Sequence, residues 1–98
     1  MGLKMEVTPI SNELIGRLVY SQSGRDAGKA FVVIRTDEKG FLFLADGDIR
    51  KVEKPKSKNP KHIKVTHYTL EEVREKLLKG EQPENHFLRT NIKQLLVT

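Results

Sequence analysis

The chain of 98 residues contains no cysteine and no tryptophan. Without cysteine there can be no disulfide, thiolate metal site, iron–sulfur cluster or thiol nucleophile, and the absence fits a reducing compartment. No apolar run approaches the roughly 18 residues that span a bilayer. Residues 1–6 lack the apolar stretch of a signal peptide, and Glu6 stands where an N-myristoylation motif needs Ser or Thr. These absences predict a soluble protein of the cytoplasm. The length suits one domain, because two separate cores would each fall near the lower limit for autonomous folding. At 37% hydrophobic residues the chain can supply one core.

Positive charge is present but unevenly placed. Residues 50–64 hold seven of the 18 Lys and Arg side chains (Arg50, Lys51, Lys54, Lys56, Lys58, Lys61 and Lys64) against the single acid Glu53. The rest of the chain carries 11 basic and 12 acidic groups. A local surplus of this kind is what a phosphate-binding surface needs, since each neutralised phosphate releases condensed counterions. A lysine-rich loop that only keeps the chain in solution is the plainer reading.

From residue 14 the sequence reads as short strands divided by turn signals. The predicted strands are 15–20, 30–34, 41–45, 49–52 and 62–66. The connection 21–28 is polar and contains Gly24 and Gly28, 36–40 has the form of a hairpin connection, and Asp46-Gly47-Asp48 is a turn. Pro55 and Pro60 are expected to prevent regular pairing through the lysine-rich segment. Ile63 and Val65 should point inward from the last strand. Five short strands in about fifty residues describe a small barrel. Strands 30–34 and 41–45 are apolar on both faces, so the carboxyl-terminal segment must cover part of its outside.

That segment opens with a helix. Thr69 and Glu72 have the spacing of a capping box, Leu70, Val73, Leu77 and Leu78 form an apolar stripe, Gly80 suits the C-terminal cap and Pro83 ends the run. The tail from Asn85 has helical spacing in Leu88, Ile92, Leu95 and Leu96, but 92–97 reads equally as a strand. The expected organisation is an amino-terminal extension (1–13), a barrel (14–66) and a carboxyl-terminal helix and tail packed on it (67–98).

No catalytic constellation emerges. His62, His67 and His86 match no metal-ligand spacing, and Ser21, Ser23 and Ser57 lie in turn-like loops with no local base. Gly24-Arg25-Asp26-Ala27-Gly28-Lys29 looks like a nucleotide-phosphate loop, but that motif needs four residues between its glycines and a Ser or Thr after the lysine. Neither condition holds. A non-catalytic protein without cofactor or metal is expected.

The same residues fit another pattern. The stretch from Gly16-Arg17-Leu18-Val19 through the glycine loop to Phe31-Val32-Val33-Ile34 resembles the KOW motif of ribosomal proteins and elongation factors of the NusG kind. Leu44-Ala45-Asp46-Gly47 and Lys61-His62-Ile63-Lys64-Val65-Thr66 resemble later segments of small KOW-bearing large-subunit ribosomal proteins and their bacterial relatives. The resemblance covers about residues 14–66. It implies a mainly β fold, a five-stranded SH3-like barrel of the KOW type with a carboxyl-terminal helix, that binds structured RNA, ribosomal RNA or the ribosome included. The site it implies comprises Arg17, Gly24, Arg25, Gly28, Lys29, Arg50, Lys51, Lys54, Lys56, Lys58, Lys61 and His62. Glycines at 24 and 28 would let the loop backbone approach a phosphate and offer its amides. Contacts of this kind give affinity and position rather than base readout.

Plainer roles stand beside these. Gly24 and Gly28 suit turns with positive φ, Asp26 caps the loop or pairs with Arg25 or Lys29, and Phe31, Phe41 and Phe43 are core candidates. Tyr20 is the one aromatic placed to stack a base. The resemblance also allows a second class of function. KOW barrels of the elongation-factor type dock proteins, and the contact surface would be the barrel rim or, if they did not pack on the barrel, the helix and leucine-rich tail.

Overall fold

In the computed structural model, which describes residues 12–97, Ala30–Thr36 forms the strand on which the rest is built. Phe31 and Val33 point to one face of it and Val32 to the other, and all three are buried. With Arg17–Ser21 (β1), Leu42–Ala45 (β3), Lys56–Lys58 (β4) and Ile63–Thr69 (β5), this strand (β2) makes one open antiparallel sheet of five strands in the order β4-β3-β2-β1-β5. Two helices follow, Glu71–Leu78 (α1) and Asn85–Leu96 (α2). The fold is mainly β with a helical carboxyl-terminal end. No helix of the described residues is long and apolar enough to cross a membrane.

The helices cover one face of the sheet, where Leu18, Val32 and Ala45 pack with Val52, Leu70, Val73, Leu88 and Ile92. On the other face Ile15, Val19, Phe31, Val33, Leu42, Leu44 and Ile63 form a second core. That core is closed by curvature. A flat sheet of five strands spaced at about 4.8 Å would hold its edges roughly 19 Å apart. Here residues 59–62 alone join β4 to β5, the two edge strands, and a 3₁₀ turn, Pro60–His62, takes up most of them. Such a turn advances only about 2 Å per residue. The sheet must therefore curl until its edges approach, which sets Ile63 of one edge strand against Leu42 and Leu44.

Several expectations fail for identifiable reasons. Residues 49–52 are not a strand. The Asp46 carboxylate accepts the N–H groups of Asp48 (2.9 Å) and Arg50 (2.8 Å), which folds 46–50 into a turn and leaves Ile49 exposed. The fourth strand lies instead within the lysine-rich segment, pairing Lys56 with Leu44 and Lys58 with Leu42. Pro55 and Pro60 flank these residues without interrupting them, as an edge strand permits. Val65 is 42% exposed, because β5 is the opposite edge and its register with β1 shifts beyond Val65. Thr69 does not cap α1. It pairs with Arg17 in the sheet, and the helix starts one residue later, with Leu70 at the cap position.

The other end of α1 is as the sequence predicts. Gly80, at φ +84°, donates to the Leu77 carbonyl (3.0 Å) and Glu81 donates to that of Lys76 (2.8 Å). Leu78 leaves the apolar stripe for solvent. The tail is helical, with Leu88 and Ile92 buried against the sheet. The expected extension 1–13 and its Pro9 lie, apart from residues 12 and 13, outside the described residues.

One junction fixes α2 to the connection between β3 and β4. Asn85 Oδ1 accepts the Val52 N–H (2.9 Å), and its Nδ2 donates to the Glu53 carboxylate (2.9 Å). The second bond, with a backbone bond and the Lys51 charge, holds the Glu53 carboxyl below its ordinary value. Its small stabilising effect is thus present above the ordinary carboxylate pKa and is lost as pH falls through the lowered one. Beneath Asn85 lies Gly47 at φ +79°, so close that an added Cβ would overlap the Asn85 carbonyl. Gly40, at φ +89°, has nothing within 4 Å of an added Cβ. Gly40→Ala should therefore cost about 1 kcal/mol, the backbone term alone. Gly47→Ala should cost about 3 kcal/mol or more, because overlap adds to it. Urea unfolding of the two variants measures the difference, and equal costs would show that the Asn85 junction yields freely.

Candidate nucleic-acid interface

The loop between β1 and β2 is built by two glycines and two successive turns, closed by a bond across its base. Gly24 (φ +75°) opens a 3₁₀ turn, Gly24–Asp26, and Gly28 (φ +86°) leads back into β2. The amides of Ala27, Gly28 and Lys29 are used internally, on the carbonyls of Gly24 (3.2 Å), Ser21 (2.8 Å) and Asp26 (2.9 Å). Gly28 therefore does not offer its amide to a phosphate, contrary to expectation. An added Cβ at Gly28 would meet open space, and one at Gly24 only the Lys58 ammonium at 3.7 Å. Positive φ, not crowding by the protein, is what these positions demand.

Three hydrogen bonds across the mouth of the curl stitch this loop to distant residues. The Lys58 ammonium donates to the carbonyl (2.8 Å) and hydroxyl (3.3 Å) of Ser23. The Gln22 N–H donates to the His62 carbonyl at 2.8 Å. The turn that carries Lys61 and His62 is itself capped, by Asn59 Oδ1 on the Lys61 N–H (3.0 Å). Arg25, Lys61 and His62 are exposed, and Lys56 lies two residues before Lys58 on the same side of β4. Gly24, Arg25, Lys56, Lys58, Lys61 and His62 thus share one rim. Tyr20 is half-buried at its edge and pairs across β1 and β5 with Lys64.

The remaining expected site residues lie off this rim, although Arg50 and Lys29 still adjoin the glycine loop. Arg17 begins β1, at the end away from the glycine loop, and its guanidinium donates to the Thr66 carbonyl (3.1 Å). Arg50 lies 3.9 Å from the carboxylate of Asp26, a buried residue, so Asp26 pairs with neither Arg25 nor Lys29. Arg50 acts as a strut between the loop and the 46–50 turn. Lys51 donates to the Asp48 carbonyl (3.2 Å), and Lys51 and Lys54 stand on the segment pinned to α2 by Asn85. Lys29 faces away from the rim, beside Arg89 and Lys93 of α2. Those two cations, and the anchoring roles of Ser23 and Asp26, were not among the expected site residues. The spacing of His86, Arg89 and Lys93 reveals a basic stripe only once 85–96 is known to be a helix. Among the aromatic residues, Phe31 is core as expected, whereas Phe43 is only half-buried and lies 4.2 Å beneath the Arg35 guanidinium. Among the described residues no group of His, Asp and Glu could hold a metal ion.

No protein-family model matches the chain, and no curated protein is similar to it. The KOW resemblance therefore rests on the sequence pattern alone.

Lys58 is a structural cation within the rim. Lys58→Ala should lower stability by about 1 kcal/mol, the scale of a partly exposed charged hydrogen bond. It should also speed amide exchange across residues 22–26 while leaving α2 unchanged. Unchanged loop exchange would show that Ser23 is held without the lysine.

Proposed function

We propose that the protein is a non-catalytic RNA-binding module, associated with the ribosome or translation, whose curled sheet is an SH3-like barrel of the KOW type. The rim around the glycine loop is the contact surface, and it engages the phosphates of structured RNA. The observation that carries this reading is the pair of bonds from Ser23 and Gln22 to Lys58 and His62. They hold Arg25 beside cations more than thirty positions away in sequence. Both broad faces of the sheet are used for packing, one against the helices and one inside the curl. A row of exposed aromatics for stacking single-stranded bases is thus absent from the strands described, which favours recognition of shape and backbone. For the alternative of a protein-interaction module, burial of Val73, Leu88 and Ile92 against the sheet takes these helix residues out of use and leaves the rim as its contact surface.

Binding of a folded RNA hairpin, measured across a salt series, tests the reading. With about four to six phosphate contacts, log K should fall steeply with log salt. Arg25→Gln, Lys56→Gln and Lys61→Gln combined should weaken binding to unrelated hairpins alike and reduce the salt slope by about three. No binding at low salt, or a flat salt response, would refute RNA binding by this rim.

A further inference from the structure

The glycine loop has a second side. Lys29, its last residue, lies with Ala30 beside Arg89, Ile92, Lys93 and Leu96 of α2, around a crevice of about 240 Å³. Ala30, Ile92 and Leu96 supply an apolar floor, and Lys29, Arg89 and Lys93 supply three exposed cations. Asp46 and Asp48 also border it, and among the described residues neither forms an ion pair with these groups. The Asp46 carboxylate is engaged by the N–H groups of Asp48 and Arg50 within its own turn. Among the described residues, the ammonium groups of Lys29 and Lys93 have no hydrogen-bond or ion-pair partner, and the Arg89 guanidinium meets only His86 Nδ1, at 3.1 Å.

Some cations elsewhere in the molecule are engaged by the protein, while others, Arg25, Lys39, Lys61 and Lys79 among them, are exposed as these three are. Arg17, Lys58 and Arg74 donate to backbone carbonyls, and Arg50 faces the Asp26 carboxylate. Lys93 suits the negative end of the α2 dipole. Lys29 comes from a loop and Arg89 from the middle of the helix, so the dipole does not account for the convergence of all three. Against the two carboxylates of the same crevice the three cations leave a surplus of one positive charge.

We propose that this crevice is a second contact for the same RNA, with Lys29, Arg89 and Lys93 on successive phosphates and the apolar floor against the sugar-phosphate chain. The inference rests on the RNA-binding reading and extends the interface onto α2, which lies outside the KOW-like segment. One loop carries Arg25 on the rim and Lys29 in the crevice. A ligand whose negative charges repeat along its length, as they do every few ångströms on a nucleic acid strand, can reach both sides. A compact anion can occupy only one.

The test uses the full chain, a folded RNA hairpin and a salt series. Arg89→Gln with Lys93→Gln should weaken binding about tenfold or more near 0.1 M salt and lower the salt slope by about two. Lys39→Gln with Lys79→Gln removes the same charge at exposed positions outside both surfaces and should leave the slope unchanged; circular dichroism confirms that both variants fold. If the α2 variant binds as the wild type does while the Arg25, Lys56 and Lys61 variant is weakened, the crevice does not touch RNA and the inference fails alone. If the α2 variant loses only its binding to a polyglutamate probe, the crevice serves an acidic protein and the inference fails. If wild-type protein binds no hairpin even at low salt, the RNA-binding reading fails and the inference with it.

Discussion

The short link between β4 and β5 is the constraint on which the remaining architecture depends. Strands at opposite edges of a five-stranded sheet cannot be joined by residues 59–62 unless the sheet bends back toward itself. Bending lets the concave face bury Phe31, Val33 and Leu44 among neighbours of their own sheet, with Leu14, Ile15 and Leu77 completing the core. The convex face gains nothing from the bend and would expose Leu18, Val32 and Ala45. Covering it is the work of α1 and α2, and the Asn85 junction places α2 over it. The doubly apolar strands and the amphipathic helices are thus two consequences of one connection.

The same bend decides which charges become neighbours. Lys58 and His62 are brought to Ser23 and Gln22 because the two edges converge at the mouth of the curl. A polar bond there costs little burial and ties β4 to the loop without requiring a complete ladder. Residues 50–54 take another direction. Arg50 is drawn to Asp26, and Val52 is buried beneath the helices. The run of basic residues from 50 to 64 is therefore continuous in sequence and divided in space.

How much of this was legible in the sequence follows from how local each signal was. β1, β2 and β3 were readable because runs such as Phe31-Val32-Val33 have little alternative to a strand buried on both sides. The α1 stop was readable because Gly80 and Pro83 act within a few residues. Thr69 and Val65 were misread because their roles are set by β1, some fifty positions away. The fourth strand was misplaced for two reasons. Asp46 captured the backbone of the segment that looked like a strand, while Lys56–Lys58, with no apolar residue, pairs only because β3 offers it an edge. Of the expected site, Gly24, Arg25, Lys56, Lys58, Lys61 and His62 fall together. Arg17 does not, since one strand separates it from the loop. Arg89 and Lys93 were invisible because 85–96 had no assigned conformation.

Net charge is consequently a poor guide to where a polyanion would sit on this molecule; the partners of each cation are a better one. An arginine whose guanidinium holds a carbonyl, as Arg17 and Arg74 do, is fixed in place by that bond and meets a phosphate only with its remaining N–H groups and only where the fold presents them. An exposed lysine without a partner gives up only water and a diffuse counterion. By that criterion the glycine loop has available cations on both of its sides, Arg25 and Lys61 on one and Lys29 and Lys93 on the other. Gly24 and Gly28 set the positive-φ turns that fold the loop between these two sides. Their contribution to binding is then the shape of the loop, since the Gly28 amide is already engaged by Ser21.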